Sequence, residues 1–150
     1  MERFSAIRIL LVEDSADDIE IMRRALGRCN VPTQMDVARD GQEALDYLFG
    51  REEYVAATVL PPDFILVDIN LPRLNGIETL ERIRACQDVA IATIPVIMLT
   101  ASSRQADVIR AYRMGSNAYV SKPTDYEEFV DVISDLAEFW LTIAKLPRAA

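Results

Sequence analysis

Short apolar runs alternate along this chain with stretches in which apolar residues recur every three or four positions. Such runs are typical of strands buried in a parallel sheet, and the wider spacing is typical of helices that pack on a sheet. The alternation occurs five times and predicts an α/β fold with helices on both faces of the sheet. The predicted strands are 7–12, 34–38, 64–67, 96–99 and 117–120, and the predicted helices are 16–28, 43–49, 77–86, 103–114 and 124–146.

Local signals mark several boundaries of these predicted elements. Ser15 is placed to cap the first helix, because its hydroxyl oxygen can accept a hydrogen bond from a free N–H of the first turn. Asp40 and Gly41 predict a turn before the second helix, and Gly50 predicts the end of that helix. The 34–38 strand is partly polar, so we expect it at an edge of the sheet.

The last predicted helix carries more apolar surface than one contact with the sheet requires. Two sets of apolar residues lie on neighbouring faces of this helix. The first set is Phe129, Ile133, Leu136 and Trp140, and the second is Val132, Phe139 and Ile143. One apolar face is enough to dock a helix on a sheet. We therefore expect the second set to form a protein interface, with a broader core face as the alternative.

Polar residues follow the predicted strands at the points where the strands end. Glu13 and Asp14 follow the first strand, Asp68 the third, Thr100 the fourth, and Lys122 lies just after the fifth. Ligands of open parallel sheets bind at the carboxyl ends of the strands, so we expect these side chains to converge at one edge. Each residue alone has an ordinary explanation as a helix cap, a turn residue or a solvated charge. The functional interpretation therefore depends on their joint placement.

The expected cluster combines a metal site with a nucleophile. Three carboxylates without a cation would repel one another, whereas Mg²⁺ binds carboxylate oxygens and would keep Asp68 ionised. Carboxylates serve as covalent phosphate acceptors, and phosphoryl transfer needs mainly positioning and charge neutralisation. Lys122 can supply a positive charge to phosphoryl oxygens, and the Thr100 hydroxyl can donate a further hydrogen bond.

The composition narrows the class of protein further. The chain has 150 residues, of which 51% are hydrophobic, which fits one domain with a full core. A net charge of -8 argues against nucleic-acid binding. The longest uncharged stretch, 89–103, is too short to span a membrane, and the N-terminus lacks the layout of a signal peptide. We therefore expect a cytoplasmic protein that binds neither nucleic acid nor membrane.

The chain contains no histidine, and this excludes several kinds of chemistry. Serine–histidine and cysteine–histidine nucleophile pairs and histidine metal sites cannot form. Cys29 and Cys86 are compatible with reduced thiols and do not define a disulfide framework.

The combination of these segments resembles the receiver domain of two-component response regulators. The matching stretches are 9–14, 64–76, 95–102 and 115–123, within a resemblance that spans 7–146. The resemblance implies a flavodoxin-like, CheY-like fold: a doubly wound five-stranded parallel sheet in the order 2-1-3-4-5 with five helices, the last of them extended. We expect residues 1–150 to form a single receiver domain, with a core of about 7–146 and no output domain.

The resemblance also implies roles at matching positions. Asp68 would accept a phosphoryl group from a histidine kinase. Asp14 would bind the metal, Mg²⁺ or Mn²⁺, directly, Glu13 would assist it, often through water, and the backbone carbonyl of Asn70 would be a further ligand. The pair is Glu-Asp where many relatives have Asp-Asp.

Further residues match the switch of this family. Thr100 matches its hydroxyl, Tyr119 its aromatic residue and Lys122 its lysine, which holds the phosphoryl group. Pro123 matches a proline that is usually preceded by a cis bond. Phosphorylation would thereby change a protein-interaction surface, while the protein itself is not an enzyme but assists its own phosphorylation and dephosphorylation.

A narrower resemblance concerns the partners of the chain. The 51–62 connection and the end of the last helix resemble small stand-alone regulators that accompany bacterial phytochromes. This implies a sensor histidine kinase as partner, of the bacteriophytochrome type, and a histidine phosphotransfer protein or another target downstream. We also expect a homodimer formed through the last helix.

Three alternatives remain open from the residues. A metal-dependent phosphatase working through an aspartyl phosphate would usually carry an acid/base aspartate where this chain has Asn70. A pseudo-receiver, an interaction module that is never phosphorylated, predicts a broken acidic set. A flavodoxin-type FMN carrier would need a phosphate-binding loop where Glu13 and Asp14 lie.

Overall fold

A five-stranded parallel sheet forms the centre of the molecule in a computed structural model that describes residues 6–51 and 61–147. The strands are β1 (Ile7–Val12), β2 (Thr33–Ala38), β3 (Phe64–Val67), β4 (Val96–Thr100) and β5 (Ala118–Ser121). Their order is β2-β1-β3-β4-β5, so the predicted order and the edge position of β2 are confirmed. The strand order reverses at β1, because β2 lies on one side of β1 and β3 on the other. The carboxyl ends of β1 and β3 therefore form the crevice in which such folds bind ligands.

Six α-helices cover the sheet in the described part of the chain. They are α1 (Ala16–Gly27), α2 (Gly41–Phe49), α3 (Gly76–Arg84), α4 (Val89–Ala92), α5 (Gln105–Arg113) and α6 (Tyr126–Glu138). The prediction of five helices missed α4, which is a single turn capped by the Asp88 side chain and too short to show a helical period. Residues 52–60 of the predicted 51–62 connection lie outside the described residues.

The start of α2 differs from the prediction. Asp40 and Gly41 do not form a separate turn, because the Asp40 carboxylate accepts a hydrogen bond from the Glu43 N–H at 2.8 Å and caps a helix that begins at Gly41. Gly50 ends this helix in the left-handed conformation with φ of 68°, as predicted.

The last helix also differs from the prediction, since it does not continue to residue 146. Regular α-helix ends at Glu138, and a π-helical turn follows over Phe139–Ile143. The Thr142 hydroxyl donates to the Glu138 carbonyl at 2.5 Å, and the Ala144 N–H donates to the Phe139 carbonyl at 2.8 Å. The bond from Ala144 spans five residues, which is the hydrogen-bond spacing of a π-helix.

Both faces of the sheet are buried against helices. Leu10 and Val12 of β1 pack into the core under α2 and α3, whereas Ile9 and Leu11 pack into the core under α1 and α6. This double burial is the physical reason why the central strands β1, β3 and β4 are apolar at nearly every position. The polar residues that follow the strands therefore stand out at the carboxyl edge of the sheet.

Arg84 organises the opposite edge of the sheet. This half-buried guanidinium donates four hydrogen bonds of 2.7–2.9 Å, to the carbonyls of Ala92, Ile94 and Gly115 and to the side-chain oxygen of Asn117. Two of these carbonyls lie at the ends of α4 and α5, where helix carbonyls lack partners within the helix. Burial lowers the pKa of Arg84, but the group stays charged and fixes these chain segments together.

Candidate metal and phosphorylation site

Three carboxylates meet where β1 and β3 end. Glu13, Asp14 and Asp68 each offer one oxygen, and these oxygens all lie within 4.8 Å of one another. The parallel register of β1 and β3, in which Val12 pairs with Val67, brings the following residues side by side. Glu13 is 1% exposed and Asp68 8% exposed, whereas Asp14 is open to solvent. The cluster is therefore closed towards the core and open on the side of Asp14.

Lys122, just after β5, inserts its ammonium group into this cluster. Its Nζ donates hydrogen bonds to Glu13 Oε1, to Asp68 Oδ2 at 3.0 Å and to Asp18 Oδ2 at 2.8 Å. An ammonium has three donors, so all of them are used. Burial opposes the charge, but the hydrogen bonds to Asp18 and Glu13 outweigh it and hold the pKa of Lys122 well above its usual range. Lys122 is thus a fixed positive charge beside Asp68.

Glu13 is the most strongly perturbed carboxylate of the site. Burial, with a smaller contribution from the neighbouring Asp68, raises the pKa of Glu13 to about 7, although Lys122 and the Ser15 N–H act in the opposite sense. Its Oε2 accepts hydrogen bonds from the N–H groups of Asp14 at 3.1 Å and Ser15 at 3.2 Å. A cation bound by these oxygens would favour the ionised form of Glu13.

The loop after β3 holds Asp68 by backbone contacts. The Asn70 N–H donates to Asp68 Oδ1 at 3.2 Å, while the Asn70 side chain is exposed. The Gly76 N–H donates to the Ile69 carbonyl at 2.9 Å and brings the start of α3 against this loop. A Cβ at position 76 would overlap the Asp68 carbonyl, so this close approach requires glycine.

Thr100 and Tyr119 lie on the neighbouring strands β4 and β5. Thr100 is fully buried, and its hydroxyl oxygen accepts a hydrogen bond from the Ser102 N–H at 3.4 Å. The Tyr119 hydroxyl donates to the Ser102 carbonyl at 2.9 Å, and the Ser102 hydroxyl donates to Asp107 Oδ2 at 2.6 Å. Both predicted switch residues thus contact the same residue of the loop between β4 and α5.

The peptide bond before Pro123 is trans, whereas the resemblance implied cis. Lys122, the residue before this proline, lies directly after the end of β5, where its N–H donates to the Thr100 carbonyl at 2.8 Å.

Asp18 was not identified from the sequence. It lies in the first turn of α1, where acidic residues have the ordinary explanation of favourable interaction with the helix dipole. Its position four residues after Asp14 was the available signal, since a helix that starts beside the acidic pair turns this position back towards the cluster.

Comparisons with known proteins identify the family. The model of the response regulator receiver domain matches residues 9–134. The response regulator Rcp1 of Synechocystis sp. is 33% identical over 141 residues, which cover 94% of this chain and 93% of Rcp1. This chain therefore belongs to the response regulator receiver domain family, and it is a receiver domain of two-component signalling.

Two solved structures are similar over nearly their whole length. The phosphorylated cyanobacterial phytochrome response regulator RcpA is 36% identical with a TM-score of 0.88, covering 95% of this chain and 99% of that chain. The Mn²⁺-bound form of Rcp1 is 33% identical with a TM-score of 0.87, covering 94% of this chain and 99% of that chain. Among the described residues of this chain, no helix has the length and apolar character needed to cross a membrane.

Proposed function

We propose that Asp68 accepts a phosphoryl group from the phosphohistidine of a sensor histidine kinase. The single observation that carries this is the position of Asp68 between a fixed ammonium, at 3.0 Å, and two further carboxylates of a metal-type cluster. A carboxylate oxygen of Asp68 forms the new O–P bond as the N–P bond of the kinase breaks. The imidazole nitrogen retains the electron pair and takes a proton from water.

The residues present fit a small divalent cation. Hard carboxylate oxygens are the ligands preferred by Mg²⁺ and accepted by Mn²⁺, and no softer ligand lies in the cluster. Asp14, Asp68 and the Asn70 carbonyl would hold the ion directly, and Glu13 would assist. When bound, the ion neutralises the negative charge that gathers on the phosphoryl oxygens.

Two neighbouring side chains bind the new phosphoryl group without forming a bond to phosphorus. Lys122 offers its ammonium to one phosphoryl oxygen, and Thr100 turns its hydroxyl towards another. Because Thr100 and Tyr119 both contact Ser102, movement of this loop is transmitted to Tyr119 and to the face formed by α5, β5 and α6. Ile109 and Tyr112 of α5 are 45% and 50% exposed on the protein, which supports a role of this helix in binding a partner.

The proposed kinase partner is of the phytochrome type. Support comes from the similarity over nearly the full chain to regulators whose names connect them with phytochromes. A sensor histidine kinase of the phytochrome type would act in the cytoplasm, so we propose a cytoplasmic location for the present protein as well. Downstream, the phosphorylated chain would pass the group to a histidine phosphotransfer protein or bind a target directly, rather than turn over a separate substrate.

We further propose one receiver domain across the described residues and a homodimer through the last helix. The support for a dimer is the exposure of Phe139 and Ile143, which are 47% and 69% exposed in the π-helical turn. The Phe139 ring packs edge-on against Trp140 with ring centroids 5.5 Å apart, so the two rings form one aromatic surface in this turn.

A labelling experiment tests the proposed acceptor. The protein is incubated with phosphoramidate and Mg²⁺, and incorporation is followed by intact-mass spectrometry. We expect the unmodified chain and Asp17→Asn, which changes an exposed acid of α1, to gain one phosphoryl group, and Asp68→Asn to gain none. Labelling of Asp68→Asn at the unmodified rate would refute the assignment. Labelling of no protein at all would favour the pseudo-receiver, and continuous hydrolysis of a generic phosphoester would favour the phosphatase.

A further inference from the structure

Asp18 binds the Lys122 ammonium from outside the metal-type cluster of Glu13, Asp14 and Asp68. The Asp18 Oδ2 to Lys122 Nζ distance is 2.8 Å, slightly shorter than the 3.0 Å from Asp68 Oδ2. The Asp18 side chain is 25% exposed and the Lys122 side chain 8% exposed. Asp18 thus lies at the rim of the site, while the ammonium it binds lies inside.

The backbone of Asp18 is fixed independently of this contact. The Asp18 N–H donates to the capping Ser15 hydroxyl at 3.2 Å, which anchors the first turn of α1 beside Asp14. Asp18 and Lys122 also line an open cavity of about 340 Å³ together with Ala101.

The three carboxylates around Lys122 will not compete equally for it once a cation is bound. Glu13 and Asp68 belong to the metal-type cluster, so a bound cation weakens their attraction for the ammonium. Asp18 is not part of that cluster and keeps its full attraction. A flexible lysine side chain loses considerable rotamer freedom when it is held in one place, and a second anchor maintains that order.

We infer that Asp18 is a positioning residue that holds the Lys122 ammonium beside Asp68 while the metal ligands are occupied. This inference rests on the proposed phosphoacceptor function. Through Lys122, Asp18 keeps one positive charge ready for the incoming phosphoryl group, and it touches neither the metal nor the reacting atoms. Without Asp18, the Lys122 side chain has to give up its rotamer freedom in each phosphorylation event.

The test compares the rate of phosphoramidate labelling at saturating Mg²⁺ among four variants and the unmodified chain. Asp18→Asn keeps the size of the side chain and removes its charge, and we expect it to slow labelling about fivefold. Asp17→Asn is the matched control, because Asp17 lies in the same turn but is exposed and is not among the three carboxylates that bind Lys122. It should label at the unmodified rate.

A double-mutant cycle separates positioning from a general charge effect. If Asp18 acts through Lys122, Asp18→Asn has no further effect in a Lys122→Met background. A second readout is the side-chain ammonium signal of Lys122 in nuclear magnetic resonance spectra of the protein saturated with Mg²⁺ and beryllofluoride. We expect this signal in the unmodified chain and in Asp17→Asn, and its loss through solvent exchange in Asp18→Asn.

Three results would overturn the inference while leaving the proposed function intact. These are an unchanged labelling rate in Asp18→Asn, an equal loss in Asp17→Asn, and a loss that persists in the Lys122→Met background. Failure of the unmodified chain to label, by contrast, would reject the phosphoacceptor function itself.

Discussion

Gly76→Ala places one methyl group against the backbone that carries Asp68. The added Cβ would lie 2.8 Å from the Asp68 carbonyl carbon and 2.9 Å from the Ile69 Cα, and closer still to the Asp68 carbonyl oxygen. These neighbours are backbone atoms between a buried strand and a helix, so they cannot turn aside as a flexible side chain would. Inserting a methyl group into a packed site of this kind costs about 1–3 kcal/mol.

Urea unfolding measures this cost, and phosphoramidate labelling measures its effect on the site. We expect a lower urea midpoint with an unchanged slope for Gly76→Ala, and slower labelling because the Asp68 carboxylate is displaced from Lys122. Gly27→Ala is the matched control, since a Cβ at position 27, in the last turn of α1, meets no atom within 4 Å. It should leave labelling unchanged and stabilise the protein by up to about 1 kcal/mol. If Gly76→Ala unfolded and labelled like the unmodified chain, the account of this loop would be wrong.

Three further predictions concern the pH dependence, the opposite edge of the sheet and the last helix. Because the pKa of Glu13 is raised from 4.5 to about 7, the metal-free folded state binds more protons than the unfolded state between these values, so its stability falls as the pH rises through this window. Mg²⁺ binding should release the Glu13 proton. Calorimetry should therefore show an affinity for Mg²⁺ that is about tenfold weaker at pH 6 than at pH 8. Equal affinities at the two pH values would contradict this assignment. Arg84→Ala should lower the free energy of unfolding by about 2–3 kcal/mol, whereas Arg82→Ala, exposed in the same turn, should change it by less than about 0.5 kcal/mol. Ile143→Asp should convert a dimer into a monomer in size-exclusion chromatography with light scattering, and Val89→Asp, which changes another exposed residue, should not; an unmodified chain that is monomeric with and without beryllofluoride would exclude the interface.

The strands could be predicted from the sequence because both faces of the sheet are buried. Leu10 and Leu11 point into different cores, and the buried stretches 9–12, 64–67 and 96–99 of the three central strands are therefore uninterrupted apolar runs. The convergence of Glu13, Asp14 and Asp68 followed from the same feature, since parallel strands end at one edge.

Contacts that depend on side-chain direction could not be predicted. The spacing of Asp18 from Asp14 indicates that it faces the cluster, but not that it binds Lys122, which lies 104 residues away. The bonds of Arg84 to the carbonyls of Ala92 and Gly115 are likewise not indicated by residue type or spacing. The end of the last helix was also missed. The apolar period continues through Phe139, and it does not distinguish α-helical hydrogen bonding from the π-helical turn that follows Glu138.

The charge arrangement of the site favours the binding of a cation. One ammonium faces three carboxylates, and the exposed Asp14 adds a fourth negative charge nearby. The excess negative charge attracts a divalent ion. Burial, with a smaller contribution from Asp68, disfavours ionisation of Glu13. A bound ion would therefore complete the balance of charge before a phosphoryl group arrives.

The most direct test of the central claim is chemical mapping of the phosphorylated residue. The protein is labelled with phosphoramidate and Mg²⁺ and reduced with borohydride, which converts an aspartyl phosphate into homoserine. The account predicts homoserine at position 68 alone, and none when Mg²⁺ is replaced by a chelator. Homoserine at another aspartate, or equal conversion of Asp68 without a divalent ion, would contradict it.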